Sequence, residues 1–111
     1  RTEADALNAL GAIQHSLGRT GPAIRSHREA LRLARRCRTG PPEVAALIGL
    51  TAAYRAGAAA ARPNAPGGVW AAAGAADSFL DEALELARRG GYGMLEAQAL
   101  ALRMPELSDA L

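Results

Sequence analysis

Four arginines at alternating three- and four-residue spacing form the most chemically suggestive pattern in the chain: Arg25, Arg28, Arg32 and Arg35. On a helix they would share one face, where guanidinium groups could contact the phosphates of a nucleic acid. Glu29 interrupts this face, and no aromatic residue lies among the arginines for base stacking. We therefore interpret it as a solvated face or a contact to a neighbouring helix, and direct nucleic-acid contact is disfavoured.

Two histidines and one cysteine are the other residues that could bind a metal or attack a substrate. His15 and His27 are twelve residues apart, with no carboxylate or cysteine at the spacing of metal ligands. Cys37 is the only cysteine, so an internal disulfide is excluded, and we expect a small, semi-buried residue there. No nucleophile, base and orienting group form a set. We expect no catalytic residue, no enzyme activity, no cofactor and no metal.

The composition predicts one small domain with a core of small side chains. Half of the 111 residues are hydrophobic but only 4% are aromatic, and all 13 basic residues are arginine, with a net charge of +2. No apolar run approaches the ~18 residues of a membrane-spanning helix, so we expect a cytoplasmic protein with no membrane contact. The first residues, Arg-Thr-Glu-Ala-Asp, have neither an initiator methionine nor a signal-peptide layout. We expect a fragment of a longer chain.

Two short words recur along the chain in a fixed order. The first is Glu-Ala-Leu-Arg-Leu-Ala-Arg-Arg at 29–36, which returns at 82–89 with seven identities in eight. The second occurs three times, at 3–7, 43–47 and 96–100. We call the word that occurs three times A and the word that occurs twice B. Along the chain their order is A1, B1, A2, B2, A3, and successive A words are offset by 40 and then 53 residues. We therefore place an insertion at 62–75, inside the second repeat.

Glycine and proline clusters divide these words into five helical segments, and no strand-like alternation occurs, so the sequence predicts an all-α fold. A2 should run from Glu43 to about Ala61, and A3 from Met94 to Arg103. Residues 69–76 could be a loop or could extend B2 backward by two turns. The apolar stripe of A1 is expected to be buried, and comprises Leu7, Leu10, Ile13 and Leu17 with Ala6. The other inward residues expected are Ile24, His27, Leu31 and Ala34 in B1, Leu47, Leu50 and Tyr54 in A2, and Phe79, Leu80, Ala83, Leu84 and Ala87 in B2.

The equivalence of the two B helices carries two further expectations. Leu31 and Leu84 should share a core, because the two similar helix pairs would pack side by side and bury their leucine and alanine residues against each other. His27 should pack in the core, because Leu80 is its counterpart in B2.

Paired helices of this kind resemble the tetratricopeptide repeat (TPR). The matching residues are Leu7, Leu10-Gly11, Leu17-Gly18, Ala23 and Ala30 in the first unit and Leu47, Leu50, Tyr54, Ala76 and Ala83 in the second. Thr51 stands where the family has glycine, and the A-to-A spacing of 40 exceeds its usual ~34. The resemblance implies about two and a half TPR-like hairpins forming a short right-handed α-solenoid over residues 1–111.

The sequences of the repeats are similar to those in the helical arrays of actinobacterial AfsR-like (SARP-type) and LuxR/MalT-like transcriptional regulators. That resemblance implies a non-catalytic protein-interaction or sensor module of an antibiotic-biosynthesis regulator. Its partner would be a protein or peptide, including other domains of the same regulator, and self-association is left open. A stand-alone adaptor or assembly protein unrelated to transcription is the alternative.

The A helices of such a stack would line a concave wall where a peptide or ligand could lie. The polar residues predicted for this groove are Asp5, Asn8, His15, Arg55 and Gln98. Their apolar neighbours would be Ala12, Ala45, Ile48, Ala52 and Ala101.

Two features have open interpretations. Trp70, the only tryptophan, either fills the core, which burial of its indole favours, or anchors a partner at the surface. The apolar face of A3, with Leu95, Leu100 and Leu102, would be covered by the tail around Leu107 and Leu111, by self-association, or by further repeats.

Overall fold

The chain forms five α-helices in the computed structural model, which describes residues 2–60 and 68–103. They are α1 (Glu3–Ser16), α2 (Thr20–Cys37), α3 (Gly40–Ala60), α4 (Gly68–Gly90) and α5 (Gly93–Arg103). No strand occurs in the described ranges, so the predicted all-α class is confirmed. None of the described helices is both long enough and apolar enough to cross a membrane.

Local sequence signals account for the helix ends. Thr2 caps α1 by accepting a hydrogen bond from the Asp5 backbone, and the Asp5 carboxylate accepts one from the Thr2 backbone in return. Gly18 and Gly91 adopt positive φ after α1 and α4, the conformation that glycine tolerates best. The two prolines at 41–42 lie in the first turn of α3, where a missing N–H costs no helical hydrogen bond.

The described part of the predicted insertion, from Gly68 onward, is helical. Because α4 begins at Gly68, residues 69–76 are helical, which is the second of the two options left open by the sequence. Trp70 lies in the first turn of α4, and its side chain falls outside the described part of the structure.

Helix α3 is the centre of the fold. Each helix packs against the next in sequence, and α1 and α5 both also contact α3. The main core cluster is dominated by alanine and leucine, and its buried members are Ala4, Ala30, Leu31, Ala34, Val44, Ala46, Leu47, Leu50, Ala83 and Ala87. Alanines bring the helix backbones close together, in line with the small-residue core expected from the composition.

The expectation that Leu31 and Leu84 share one core is wrong in detail. Leu31 belongs to the main cluster, whereas Leu84 joins Leu80 and Ala99 in a second cluster, and Ile48 packs against both. The reason is that α4 also packs against α5, which supplies Ala99 and Leu102 to the second cluster.

The expected burial of the A1 stripe is also wrong. Leu10, Ile13 and Leu17 are 45%, 58% and 65% exposed, Ala6 is exposed, and only Leu7 is half-buried. The buried face of α1 instead carries Ala4 and Gly11. Both of its neighbours, α2 and α3, lie on that side, so the apolar stripe has no helix to cover it among the described residues.

Two smaller expectations concern exposed positions. Cys37, expected to be semi-buried, is exposed at the C-terminal end of α2. On α5, Leu95 and Leu102 are half-buried and Leu100 is 37% exposed. Leu107 and Leu111 of the tail lie outside the described residues.

Candidate ligand-binding groove

A cavity of about 390 Å³ lies between α1, α3 and α5. It is lined by Asn8, Ala12, His15, Ser16, His27, Ala45, Ile48, Gly49, Ala52 and Leu102. We call it the α1–α3–α5 groove. Its walls are mostly apolar, and its size suits one large side chain or a short hydrophobic segment.

Asn8 and His27 form a hydrogen-bonded joint in the floor of this groove. The Asn8 amide nitrogen donates to the Pro42 carbonyl at 3.1 Å, which fixes the orientation of the amide. The Asn8 carbonyl oxygen then faces His27 Nδ1 at 2.9 Å, so His27 Nδ1 carries the proton and donates. One N–H and the carbonyl oxygen of the Asn8 amide are therefore engaged, and three helices meet at one side chain.

The His27 ring lies between two glycines from different helices. A Cβ built on Gly11 of α1 would come within 2.6 Å of His27 Nε2, and one on Gly49 of α3 would come closer still to His27 Cε1. His27 itself is 4% exposed. The ring thus fills the space that two missing side chains leave, and it separates α1 from α3.

Burial controls the charge of His27. Desolvation lowers its pKa below the ordinary value of 6.5, and the nearby His15 lowers it further. The neutral imidazole is therefore favoured at neutral pH, in agreement with its donor role toward Asn8.

His15, one of the lining residues, has a ring nitrogen without a hydrogen-bond partner in the described part of the chain. Its Nδ1 atom is buried and has no hydrogen-bond partner among the described residues. A buried polar atom without a hydrogen-bond partner costs free energy. The groove is therefore an apolar pocket, and one of the residues that line it carries a buried nitrogen without a partner among the described residues.

The other predicted groove residues lie elsewhere. Arg55 donates to the Leu102 carbonyl and lies 3.9 Å from the Asp77 carboxylate, at the edge of a separate cavity. Asp5 serves the cap of α1, and Gln98 is exposed on α5. Of the five polar residues, the structure brings together Asn8 and His15 only. The apolar residues Ala12, Ala45, Ile48 and Ala52 do line the groove, as expected, whereas Ala101 does not.

The arginines of α2 are mostly engaged with other side chains. Arg35 contacts Glu43 at 3.1 Å and Glu82 at 2.6 Å, which ties α2 to α3 and α4. The stripe's other contacts run from Arg28 to Tyr54 and from Arg32 to Glu29. Arg25 alone of the four makes no hydrogen bond or ion pair within the described ranges.

Sequence reasoning missed the two residues that shape the groove floor. His27 was assigned to packing alone, and Gly49 was not singled out. Their contact joins α2 to α3. The spacing of apolar residues within one helix does not predict which residue of another helix it will contact. The exchange of His27 for Leu80 between the two B words was the available hint.

Comparison with known proteins adds no identity. No protein-family model, curated protein or solved structure matches this chain. The groove and its residues are therefore the basis for a functional proposal.

Proposed function

We propose that this chain is a non-catalytic interaction module that holds an apolar side chain of a peptide partner in the α1–α3–α5 groove. The observation that carries the proposal is the 390 Å³ cavity, whose walls are mostly apolar. An apolar group would displace water from the alanine walls, and a turn of the His15 ring would bring its unpartnered Nδ1 to a polar group of the peptide.

The proposal includes a TPR-like arrangement of the helices. Each repeated A and B word coincides with one helix, and all lining residues of the groove except His27 come from the three A helices. On this reading the chain is a short right-handed α-solenoid of about two and a half hairpins. We further propose a sensor or interaction role in a transcriptional regulator, supported by the resemblance of the repeated words, with a stand-alone adaptor as the alternative.

Selection from a displayed peptide library, followed by affinity measurement, tests the groove. Ala12 is exposed and lines the groove, so Ala12→Trp should fill it without disturbing the core. Ala97 is exposed on α5 and is not a groove residue, so Ala97→Trp is the matched control. We expect Ala12→Trp to weaken a selected peptide at least tenfold and Ala97→Trp to leave it unchanged. Failure to select any peptide, or equal binding by both variants, would rule the groove out.

A further inference from the structure

Residues 40 positions apart are equivalent in the repeat. The equivalents in α3 of the exposed apolar stripe of α1 are buried or half-buried. The α1 residues are Ala6, Ala9, Leu10, Ile13 and Leu17, and their α3 equivalents are Ala46, Gly49, Leu50, Ala53 and Gly57. All five are exposed in α1, and all five are buried or half-buried in α3. We call this set of five positions the seat.

Helix α2 packs against α3 and contacts two residues of its seat. The His27 ring presses on Gly49, and Thr20 lies 3.6 Å from the position of a Cβ on Gly57. The two helices are joined by a short turn between Cys37 and Gly40, so they run antiparallel. An ion pair lies beside this turn, where Arg35 of α2 contacts Glu43 of α3 at 3.1 Å.

The seat of α1 has the same apolar character and the same neighbouring acid, but no helix covers it among the described residues. Glu3 is the repeat equivalent of Glu43. It is exposed and makes no hydrogen bond or ion pair among the described residues, although Arg32 of α2 lies near enough for a weaker electrostatic attraction. Both the apolar contact residues and the acidic partner of an antiparallel helix are thus present on α1.

We propose that the seat of α1 binds an antiparallel α-helix of a partner protein, with alanine-rich packing residues and an arginine near its C-terminal end. The partner helix needs alanines at its contact positions because the side chains at the α1 seat are larger than those at the α3 seat. Ile13 replaces Ala53, and Leu17 replaces Gly57. Ala9 replaces Gly49, so a ring like that of His27 cannot enter. The arginine would pair with Glu3 as Arg35 pairs with Glu43. This surface is distinct from the α1–α3–α5 groove.

The probe is a labelled peptide with the sequence of residues 20–37 and the change His27→Ala. The matched control peptide retains His27. We expect the full chain to bind the alanine peptide at least tenfold more tightly than the control, as measured by fluorescence anisotropy. Equal binding of the two peptides, or no binding of either to the folded chain, would overturn the proposal.

Variants of the chain locate the site. Ile13→Glu should reduce binding at least tenfold, whereas Met94→Glu, a charge at another exposed apolar side chain, should not. Glu3→Arg should weaken binding, and the further peptide change Arg35→Glu should restore it. Binding that survives Ile13→Glu would indicate exchange with the chain's own α2 and contradict the proposal. A dimer of the unliganded chain that Ile13→Glu converts to a monomer in light scattering would make a second copy the occupant and overturn it as well.

Discussion

Helices α1 and α3 carry the same spacing of apolar residues but differ in what covers them. In α3 the seat residues are buried or half-buried, with α2 against Gly49 and Gly57, whereas in α1 the same register faces solvent. The two helices therefore show that an apolar stripe indicates a contact surface, and that only the neighbouring helices decide whether it becomes core. Three measurements can contradict or refine this difference.

The largest expected effect is on stability at the equivalent leucines. Leu50 is fully buried, so Leu50→Ala should lower the free energy of unfolding by about 2–5 kcal/mol, because it leaves a cavity. Leu10→Ala at the exposed equivalent should cost about 0.5 kcal/mol. Urea unfolding of both variants measures the difference. Equal costs would mean that α1 is covered in solution.

The second effect concerns the close approach at Gly49. Gly49→Ala should destabilise the chain by about 1–3 kcal/mol, because the new methyl group must displace the His27 ring. Gly74 is exposed and has open space around it, so Gly74→Ala should instead stabilise by about 0.5–1 kcal/mol through helix propensity. Thermal unfolding compares them. In a His27→Ala background the penalty at Gly49 should disappear, and its persistence would show that the ring is not the cause.

The smallest effect is the dependence of stability on pH. Because the pKa of His27 is lower in the folded chain than its ordinary value of 6.5, the unfolded chain binds the proton first as pH falls. Stability is therefore fully present above pH 6.5 and declines below it, by at most about 1.4 kcal/mol per pH unit for one proton. His27→Leu should flatten this decline in urea titrations between pH 5 and 7. An unchanged slope would assign the decline to other groups.

The sequence predicted local structure well and neighbours poorly. Helical periodicity and glycine or proline stops located all five helices, and the buried positions of α2 and α3 were mostly correct. The same method failed at Leu10, Ile13 and Leu17, because periodicity identifies an apolar face but contains no information on whether another helix lies against it. Leu31 and Leu84 illustrate the same limit, since equivalent positions pack against different partners.

The candidate groove was predicted in part for the same reason. The A-helix register correctly grouped Asn8, Ala12 and His15 with Ala45, Ile48 and Ala52. It could not show that Arg55 is held by the end of α5, because that hydrogen bond forms only when the helices assemble. The use of Asp5 in the cap of α1 was readable from its spacing to Thr2, but the groove prediction did not consider the cap.

The hydrogen bonds of the Asn8 amide have a consequence for the shape of the groove. One of its two N–H groups donates to Pro42 and its carbonyl oxygen accepts from His27, so the side chain is held in one orientation between three helices. If the groove binds a peptide as proposed, the floor would not adapt to the ligand, and the fit of a group to the alanine-lined space would decide binding. Peptides of different sequence that present a group of the same volume and shape would then bind alike.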